Sequence, residues 1–313
     1  MTQSIDEKNR QLMVQATQLI QKGAVGAAIK IGRKITHPVS QSAILASAYM
    51  LKKNYKDAQT HFRRLKAAMP NEPVVYENLA ICRAHLIGGK YDEECEKLIA
   101  KAFPNNSIFQ NAYTKAIIET DTPVSAERRP RFEWLIEQYS NTRDLEGSVA
   151  ECGCWRGTSM LLLCGYEASL NSDFKGANFH IFDSFEGLST PGEKDPLDRP
   201  DSKAGTFEAS LDEVKRNLQN FPELSFYKGW IPDRFSEVEQ IDFRFVHIDV
   251  DLHQPTDDAL RFFFPRLVPG GRLVCDDYSW SGAREAVDVY AKEVGAEVVV
   301  SPKQQGMLIK ENN

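Results

Sequence analysis

Short apolar runs alternate with helical segments from Ser148 to the end of the 313-residue chain. The runs have the near-continuous hydrophobic character of parallel strands that are buried on both faces. We predict strands near 149–153, 178–183, 224–228, 243–250 and 271–276, and a final hairpin of 296–300 with 306–310. We predict helices near 158–170, 207–220, 255–266 and 281–293. Five strands and a hairpin predict an α/β fold, a Rossmann-like seven-stranded sheet with helices on both faces.

The first part of the chain, residues 1–120, has an all-helical pattern with signs of a repeat. Ala46 and Ala80 are 34 residues apart, as are Pro70 and Pro104, and this is the period of tetratricopeptide helix pairs. The sequence therefore predicts an all-α, tetratricopeptide-like domain. Stacked helix pairs usually present a concave surface to a protein partner. The alternative is that this domain packs on the second domain, closes it or self-associates.

Segment 121–147 is mixed and polar, which predicts a joint between the helical domain and a second domain over 148–313. The joint contains an arginine cluster, Arg128-Arg129-Pro130-Arg131, and one amphipathic stretch, 132–139. The cluster either contacts an anionic substrate or forms a solvated face.

Composition argues against several classes of protein. The net charge is -6 and the isoelectric point is about 5.6, which argues against general binding to nucleic acid or to an anionic membrane. The first residues lack the apolar stretch of a signal peptide, and no apolar run approaches the length of a membrane helix. We therefore predict a cytoplasmic location. The six cysteines are scattered, which favours buried, reduced thiols.

Two neighbouring strands of the predicted sheet end in carboxylates. The run Phe-Val-His-Ile-Asp-Val-Asp-Leu contains Asp249 and Asp251, and the run Gly-Gly-Arg-Leu-Val-Cys-Asp-Asp-Tyr contains Asp276 and Asp277. Ligands of open α/β sheets bind outside the carboxyl ends of the strands, so we expect these acids around one point. Like charges at short range need a cation or a shared proton. An all-oxygen cluster suits Mg²⁺, Mn²⁺ or Ca²⁺ better than Zn²⁺.

The first strand leads into a glycine-containing turn, Glu-Cys-Gly-Cys-Trp-Arg-Gly-Thr-Ser. Gly153 and Gly157 let the backbone turn tightly beside a ligand. The helix that begins near Thr158 and Ser159 points its free N–H groups at that ligand. The carboxylate of Glu151 would repel a pyrophosphate and suits a ligand with a positive amino group.

The second strand ends in Asp183 and Ser184. An acidic residue at this position is placed to accept hydrogen bonds from ribose hydroxyls. The alternative is a helix cap, because Asp and Ser also cap helices well. Together with Glu151, the ribose interpretation favours a nucleoside that carries an amino group and no phosphate, which describes S-adenosylmethionine.

Five segments of the chain, in order, resemble the macrocin O-methyltransferase (TylF/MycF-type) family. They are Glu-Cys-Gly-Cys-Trp-Arg-Gly-Thr-Ser, Phe-Asp-Ser-Phe-Glu-Gly-Leu, Lys-Gly-Trp-Ile-Pro-Asp, His-Ile-Asp-Val-Asp-Leu-His-Gln-Pro-Thr-Asp-Asp-Ala-Leu and Pro-Gly-Gly-Arg-Leu-Val-Cys-Asp-Asp-Tyr. The resemblance covers about 148–310. It implies a class I, S-adenosylmethionine-dependent O-methyltransferase that uses a divalent metal, normally Mg²⁺, and methylates sugar hydroxyls in natural products.

The resemblance also implies roles for single residues. Asp249, Asp276 and Asp277 match the family's metal aspartates, and Asp251 matches the aspartate proposed as general base. The positions that match the surroundings of the cofactor are Glu151, Gly153, Asp183, Ser184, Gly229 and Trp230. His253 stands where many members have tyrosine, and the helical first domain is not part of the core family pattern.

The predicted chemistry is methyl transfer to a hydroxyl of a small molecule or glycan, with Asp251 taking the proton. Asp251 is either that base or a residue that tunes the metal, and His247 and His253 are rival bases. The polar, proline-rich segment 187–206 is predicted to be a lid or binding loop. The alternative function is an adaptor whose helical repeats bind protein beside a non-catalytic S-adenosylmethionine-binding domain.

Overall fold

The computed structural model describes residues 5–122, 128–195 and 203–311. The chain divides into two compact units, Met1–Glu119 and Thr120–Asn313. Within the described ranges, no helix combines the length and the apolar character that crossing a membrane requires.

The first unit is built from helices, and each helix packs against the next one along the chain. Their bounds are α1 (Ile5–Gln21), α2 (Val25–Gly32), α3 (Pro38–Leu51), α4 (Tyr55–Ala68), α5 (Pro73–Leu86), α6 (Glu93–Ala102) and α7 (Ser107–Glu119). The fully buried side chains of Ala46, Ala58 and Ala80 are small, which allows neighbouring helices to approach closely. The kinship of this unit to tetratricopeptide repeats stays a prediction.

The second unit contains a seven-stranded sheet in the order β3-β2-β1-β4-β5-β7-β6. Its strands are β1 (Ser148–Cys152), β2 (Phe179–Asp183), β3 (Ser225–Lys228), β4 (Phe243–Ile248), β5 (Leu267–Cys275), β6 (Val299–Val300) and β7 (Gly306–Ile309). The first five strands pair in parallel, whereas β7 runs antiparallel to both β5 and β6. Its helices are α8 (Arg128–Ser140), α9 (Thr158–Leu170), α10 (Leu211–Asn217), α11 (His253–Phe263) and α12 (Ser281–Val294). This arrangement confirms the predicted α/β fold.

The order of the strands places a crevice at the middle of the sheet. β1 and β4 lie side by side, and the chain continues from them towards opposite edges of the sheet. Every residue of β1 is buried. Ligands of open α/β sheets bind outside the carboxyl ends of the strands at such a switch point.

Helix α8 lies inside the segment predicted as a joint, and it belongs to the second unit. The side chain of Tyr139 on α8 is fully buried, and its hydroxyl donates to Glu167 on α9 over 2.7 Å. Arg244 on β4 donates to the same hydroxyl over 3.2 Å. Arg143 also donates to the Glu167 carboxylate, over 2.9 Å. These contacts fasten the carboxyl end of α8 to the sheet.

Candidate active site

A cavity of about 630 Å³ opens at the carboxyl ends of the central strands. Small-molecule sites commonly have volumes of roughly 300–1,000 Å³. The predicted site residues that line the cavity are Gly153, Thr158, Ser159, Asp183, Ser184, Trp230, His247, Asp249, Asp251, Asp276 and Asp277. The predicted site residues that are not among the described residues lining it are Glu151, Gly157, Gly229 and His253.

Asp249 and Asp276 follow β4 and β5 and lie close together. The Asp249 N–H donates to Cys152 O over 2.8 Å, and the Asp276 N–H donates to Ile248 O over 2.8 Å. Hydrogen bonds between neighbouring strands therefore fix the backbone at both carboxylates. One side-chain donor atom of each of His247, Asp249 and Asp276 lies within 4.8 Å of the other two. The structure thus brings together two of the three predicted metal aspartates and a histidine that the sequence suggested as a rival base.

Asp249 is in a setting that disfavours its charge. Burial raises the pKa of the Asp249 carboxyl group, the neighbouring His247 acts in the opposite direction, and the charge of Asp251 adds to the rise. A partly buried carboxylate next to another carboxylate is a setting in which a cation brings a large electrostatic gain.

Asp277 and Asp251 are joined by a backbone contact. The Asp251 N–H donates to Asp277 Oδ2 over 2.8 Å, and Asp277 is almost fully buried. Asp251 has a φ of 63°, in the left-handed region that residues other than glycine rarely adopt. The hydrogen bond that Asp251 N–H donates to Asp277 offsets part of the cost of this conformation, which carries the Asp251 side chain to the cavity wall.

Two further residues contact the carboxylate of Asp276. Gln305, fully buried just before β7, donates from Nε2 to Asp276 Oδ1 over 2.6 Å. Arg131, from the start of α8, forms an ion pair with Asp276 Oδ2. The arginine cluster in the sequence was the signal for Arg131, whereas nothing in the sequence pointed to Gln305.

Glu151 is completely buried behind the cavity wall. His247 Nδ1 lies 2.9 Å from Glu151 Oε1, and Ser159 donates its hydroxyl hydrogen to the same oxygen. Burial lowers the pKa of His247, but the hydrogen bond and the charge of Glu151, together with Asp249 and Asp277, outweigh it and raise that pKa overall. Glu151 therefore acts on the site through the two side chains that it holds.

The turn after β1 requires its glycines. Gly153 has a φ of 78°, and a Cβ there would lie 2.0 Å from the carbonyl oxygen of Asp249. Gly157 has a φ of 83° and precedes the first residue of α9. A Cβ at Gly157 would come within 3.2 Å of the Leu218 side chain. Both glycines let the turn pack closely while α9 begins at the cavity.

Thr158 takes part in a buried group of three hydroxyls. Its Oγ1 lies 2.7 Å from Thr122 Oγ1 and 2.9 Å from Thr120 Oγ1. Thr122 also lines the cavity, which sequence reasoning did not anticipate. These contacts fix the first residue of α9 against the chain that precedes α8.

Asp183 serves the backbone of two turns. Its Oδ2 accepts from Cys154 N over 2.7 Å and from Trp155 N over 3.3 Å, and its Oδ1 accepts from Phe185 N over 2.6 Å. Ser184 is similar, since its hydroxyl donates to Gly187 O and accepts from the N–H of residue 186. A carboxylate has about four acceptor positions, so Asp183 retains capacity for one further donor.

Gly229, Trp230 and His253 differ in their relation to the cavity. Trp230 lines it, whereas Gly229 donates its N–H to Asp183 O over 3.0 Å. His253 begins α11, and its Nε2 lies 3.2 Å from Lys194 Nζ. The backbone N–H of His253 donates to Asp195 Oδ1 over 2.7 Å. His253 thus contacts the loop after β2.

The structure describes residues 187–195 and 203–206 of the predicted lid, and the first of these two stretches contributes to the cavity wall. Asp195 is buried, and its Oδ2 accepts from Gly192 N over 2.9 Å. A Cβ on Gly282, at the start of α12, would lie 2.5 Å from Asp195 Oδ1. Residues 196–202 of the predicted lid lie outside the described residues. Asp195 thus fastens this loop against the first turns of α11 and α12.

More than half of this chain matches a known protein family. Residues 117–301 match the family Macrocin-O-methyltransferase (TylF). The chain is 28% identical over 198 residues to mycinamicin III 3''-O-methyltransferase of Micromonospora griseorubida, covering 59% of this chain and 76% of the relative. It is 28% identical over 183 residues to the 8-demethyl-8-(2,3-dimethoxy-alpha-L-rhamnosyl)-tetracenomycin-C 4'-O-methyltransferase of Streptomyces olivaceus, covering 56% and 69% of the two chains.

Two solved structures share the fold. The O-methyltransferase NovP superimposes with a TM-score of 0.51 at 22% identity, covering 77% of this chain and 100% of its own. The calicheamicin methyltransferase CalS11 gives a TM-score of 0.52 at 15% identity, covering 66% and 92%. The family match spans more than half of the sequence. The chain therefore belongs to the macrocin O-methyltransferase family and is an S-adenosylmethionine-dependent O-methyltransferase.

Proposed function

We propose that this enzyme transfers a methyl group to a hydroxyl of a sugar or glycosylated natural product, at a site that also holds a divalent cation. The observation that carries the proposal is the pair Asp249 and Asp276, whose carboxylates meet in the cavity beside Asp251. The names of the two relatives support the acceptor class, because one is named for a rhamnosyl-bearing tetracenomycin and the other for mycinamicin III.

The donor set fits a divalent cation. Asp249 and Asp276 supply oxygen ligands from rigid strand ends, and Asp277 lies in the same cavity wall. Oxygen ligands of this kind suit Mg²⁺ or Mn²⁺. A cation bound there would act as a Lewis acid that lowers the pKa of the acceptor hydroxyl. Asp277 stays a predicted ligand, since its Oδ2 already accepts from Asp251 N.

Asp251 is the residue that we expect to take the proton. The oxygen–methyl bond forms while the sulfur–methyl bond of the donor breaks, and the hydroxyl proton passes to the Asp251 carboxylate. The left-handed backbone at Asp251, held by Asp277, supports this role because it directs the side chain into the cavity. A base held in a fixed position avoids the cost of orientation during the reaction.

The turn after β1 and the start of α9 are the proposed cofactor end. Gly153 brings the backbone close to the cavity, and Thr158 and Ser159 present the first N–H groups of α9. We propose that the remaining acceptor capacity of Asp183 serves a ribose hydroxyl. Ser159 lines the cavity and donates to the buried Glu151 carboxylate. The negative charge of Glu151 therefore favours a cationic ligand in the cavity beside Ser159.

Metal removal tests the proposal most directly. Turnover of a glycosylated acceptor should disappear in excess EDTA and return when Mg²⁺ or Mn²⁺ is added, while calorimetry still detects S-adenosylmethionine binding in EDTA. Full turnover in EDTA would contradict the cation site. The adaptor alternative is not favoured, because the family and the relatives are named as methyltransferases.

A further inference from the structure

Three turns of the helical unit lie at one end of its stack of helices. Short turns join consecutive helices that pack on each other, so neighbouring helices run antiparallel and every second turn lies at the same end. The turns at this end span 22–24, 52–54 and 87–92. The rings of Tyr55, which begins α4, and His85, near the end of α5, stack with their centroids 4.0 Å apart. The second and third turns are therefore side by side, and we call this end the turn edge.

Large apolar side chains are exposed on the turn edge. Leu51, the last residue of α3, is 57% exposed, and Leu86 and Ile87 are 46% and 41% exposed at the third turn. Met50, the residue before Leu51, packs against the hydrophobic core of the unit, whereas Leu51 does not. The exposed side chains are therefore not used to fill the core. Apolar side chains that are exposed together mark a surface for interaction.

Exposed lysines accompany these apolar side chains. The second turn carries Lys52 and Lys53, and Lys56 follows in the first turn of α4. Lys22 and Lys90 lie in the other two turns. The stem of a lysine can lie on an apolar surface while its ammonium group stays in a polar environment. The turn edge therefore combines aliphatic groups with positive charge.

Positive charge prevails at the first two turns. Residues 8–71 contain twelve lysines and arginines and a single acid, Asp57, although the net charge of the whole chain is -6. Asp57 accepts from the side chain of Asn54 over 2.9 Å. The acids beside the third turn are Asp92, paired with Arg83, Glu93 and Glu94, both paired with Lys97, and the exposed Glu96. An anionic partner therefore meets the strongest positive charge at the first two turns.

We infer that the turn edge docks on an anionic lipid bilayer, where Leu51, Leu86 and Ile87 enter the interface and the lysines lie among the phosphate headgroups. Protein surfaces bind such bilayers through buried apolar area together with attraction to anionic lipids. Nucleic acid would use the lysines alone, because its bases stack on aromatic rings and the Tyr55 ring is already stacked on His85. The inference goes beyond the proposed function and does not depend on it. Docking would hold the catalytic unit, which belongs to the same chain, at a membrane surface.

Flotation with lipid vesicles tests the inference directly. The full chain, without acceptor or cofactor, is mixed with vesicles of phosphatidylcholine alone or of phosphatidylcholine with phosphatidylglycerol. We expect the protein to float only with the vesicles that contain the anionic phosphatidylglycerol. Binding should weaken as the salt concentration rises, because salt screens the attraction between the lysines and the headgroups.

Substitutions at exposed positions separate the two components of the surface. Lys52→Gln with Lys56→Gln should weaken binding to the anionic vesicles by roughly 30-fold, since each lysine near an anionic surface contributes about fivefold. Leu51→Gln should weaken it by roughly tenfold, because an inserted aliphatic side chain is lost. Lys34→Gln with Arg64→Gln is the matched control. It removes the same charge from exposed positions after α2 and in the second half of α4, away from the turn edge, and should change binding by less than about twofold.

Several results would overturn the inference. Equal binding to the two kinds of vesicle, or no binding to either, would exclude docking on anionic lipid. Wild-type binding by the variant with Lys52→Gln and Lys56→Gln, or by Leu51→Gln, would exclude the turn edge as the contact. Tighter binding to poly-uridine RNA than to the anionic vesicles would assign the turn edge to nucleic acid. Self-association in sedimentation, abolished by the same lysine substitutions and without vesicle binding, would assign it to a second copy of the chain.

Discussion

Strands β2 and β4 have similar sequences and opposite roles. β2 reads Phe-His-Ile-Phe-Asp and β4 ends Phe-Val-His-Ile before Asp249, so both bury a histidine and lead into an aspartate. His180 and Asp183 are three residues apart and point to opposite faces of the sheet. His247 and Asp249 are two residues apart, so they share a face, and both line the cavity.

Strand β1 lies between β2 and β4 and places a different residue beside each of the two histidines. It pairs Ala150 with His180 on one side and Glu151 with His247 on the other. Burial lowers the pKa of His180 to about 4, because Tyr227 is uncharged, whereas the acid beside His247 raises that pKa. A shift of one position thus decides whether a strand-end histidine and aspartate both line the cavity, as on β4, or only the aspartate does, as on β2.

We expect the largest loss of turnover from a substitution of the aspartate that follows β4. Asp249→Asn should lower turnover by roughly 10³-fold or more, because Lewis-acid stabilisation is worth several kcal/mol. S-adenosylmethionine binding, measured by calorimetry, should be nearly unchanged. Asp242→Asn, at the exposed residue just before the opposite end of the same strand, is the control and should retain full turnover. Substantial activity in Asp249→Asn would remove this residue from the metal site.

Asp251→Asn should lower turnover by roughly 10²–10⁴-fold with metal binding intact, the usual scale for general-base catalysis. The measurement is turnover against Mg²⁺ concentration for the wild-type and variant proteins. Should Asp251 instead tune the metal, metal affinity would fall by roughly 10–100-fold and saturating Mg²⁺ would restore the rate. Such a restoration would contradict the role of Asp251 as the base.

The fold was predictable because the periodicity of buried strands is local. The predicted strand 178–183 corresponds to Phe179–Asp183, and the predicted hairpin corresponds to β6 and β7. The sequence predicted only an amphipathic stretch where helix α8 lies. Its place in the second unit depends on contacts between residues far apart in sequence, such as that between Tyr139 and Arg244.

The site was predictable only in part. Acids at the ends of parallel strands were expected to meet, and Asp249 and Asp276 do. The pairing of Glu151 with His247 depends on the register between β1 and β4, which a single sequence does not reveal. Gln305 reaches Asp276 only because β7 pairs with β5. The roles assigned to single residues, the cytoplasmic location and a protein partner for the helical unit stay predictions.

A substitution of Asp183 tests whether the aspartate at the end of β2 contributes to cofactor binding. Asp183→Ala removes a charged acceptor from three backbone N–H groups, and it should weaken S-adenosylmethionine binding by roughly 1–3 kcal/mol, about 5–150-fold. Thermal unfolding should show a parallel loss of stability. Ser184→Ala, which removes a neighbouring turn contact, is the control and should change affinity less. Unchanged affinity with reduced stability would mean that Asp183 only shapes the turns.

His180 has the smallest expected effect on activity, and its effect on stability appears only in acid. Because its pKa in the folded protein, about 4, lies below the ordinary value of 6.5, the folded state resists a proton that the unfolded chain accepts. Stability is therefore intact above pH 6.5 and falls as the pH drops towards 4, by roughly 3 kcal/mol. Glutamine does not titrate, so the free energy of unfolding of His180→Gln, measured in urea, should decrease less between pH 7 and pH 4 than that of the wild-type protein. The difference between the two decreases should equal the contribution of His180. Equal losses in the two proteins would show that His180 is protonated as easily in the folded state as in the unfolded chain. Turnover at pH 7.5 should be unchanged, since this histidine contacts Tyr227 and lies on the face of β2 away from Asp183.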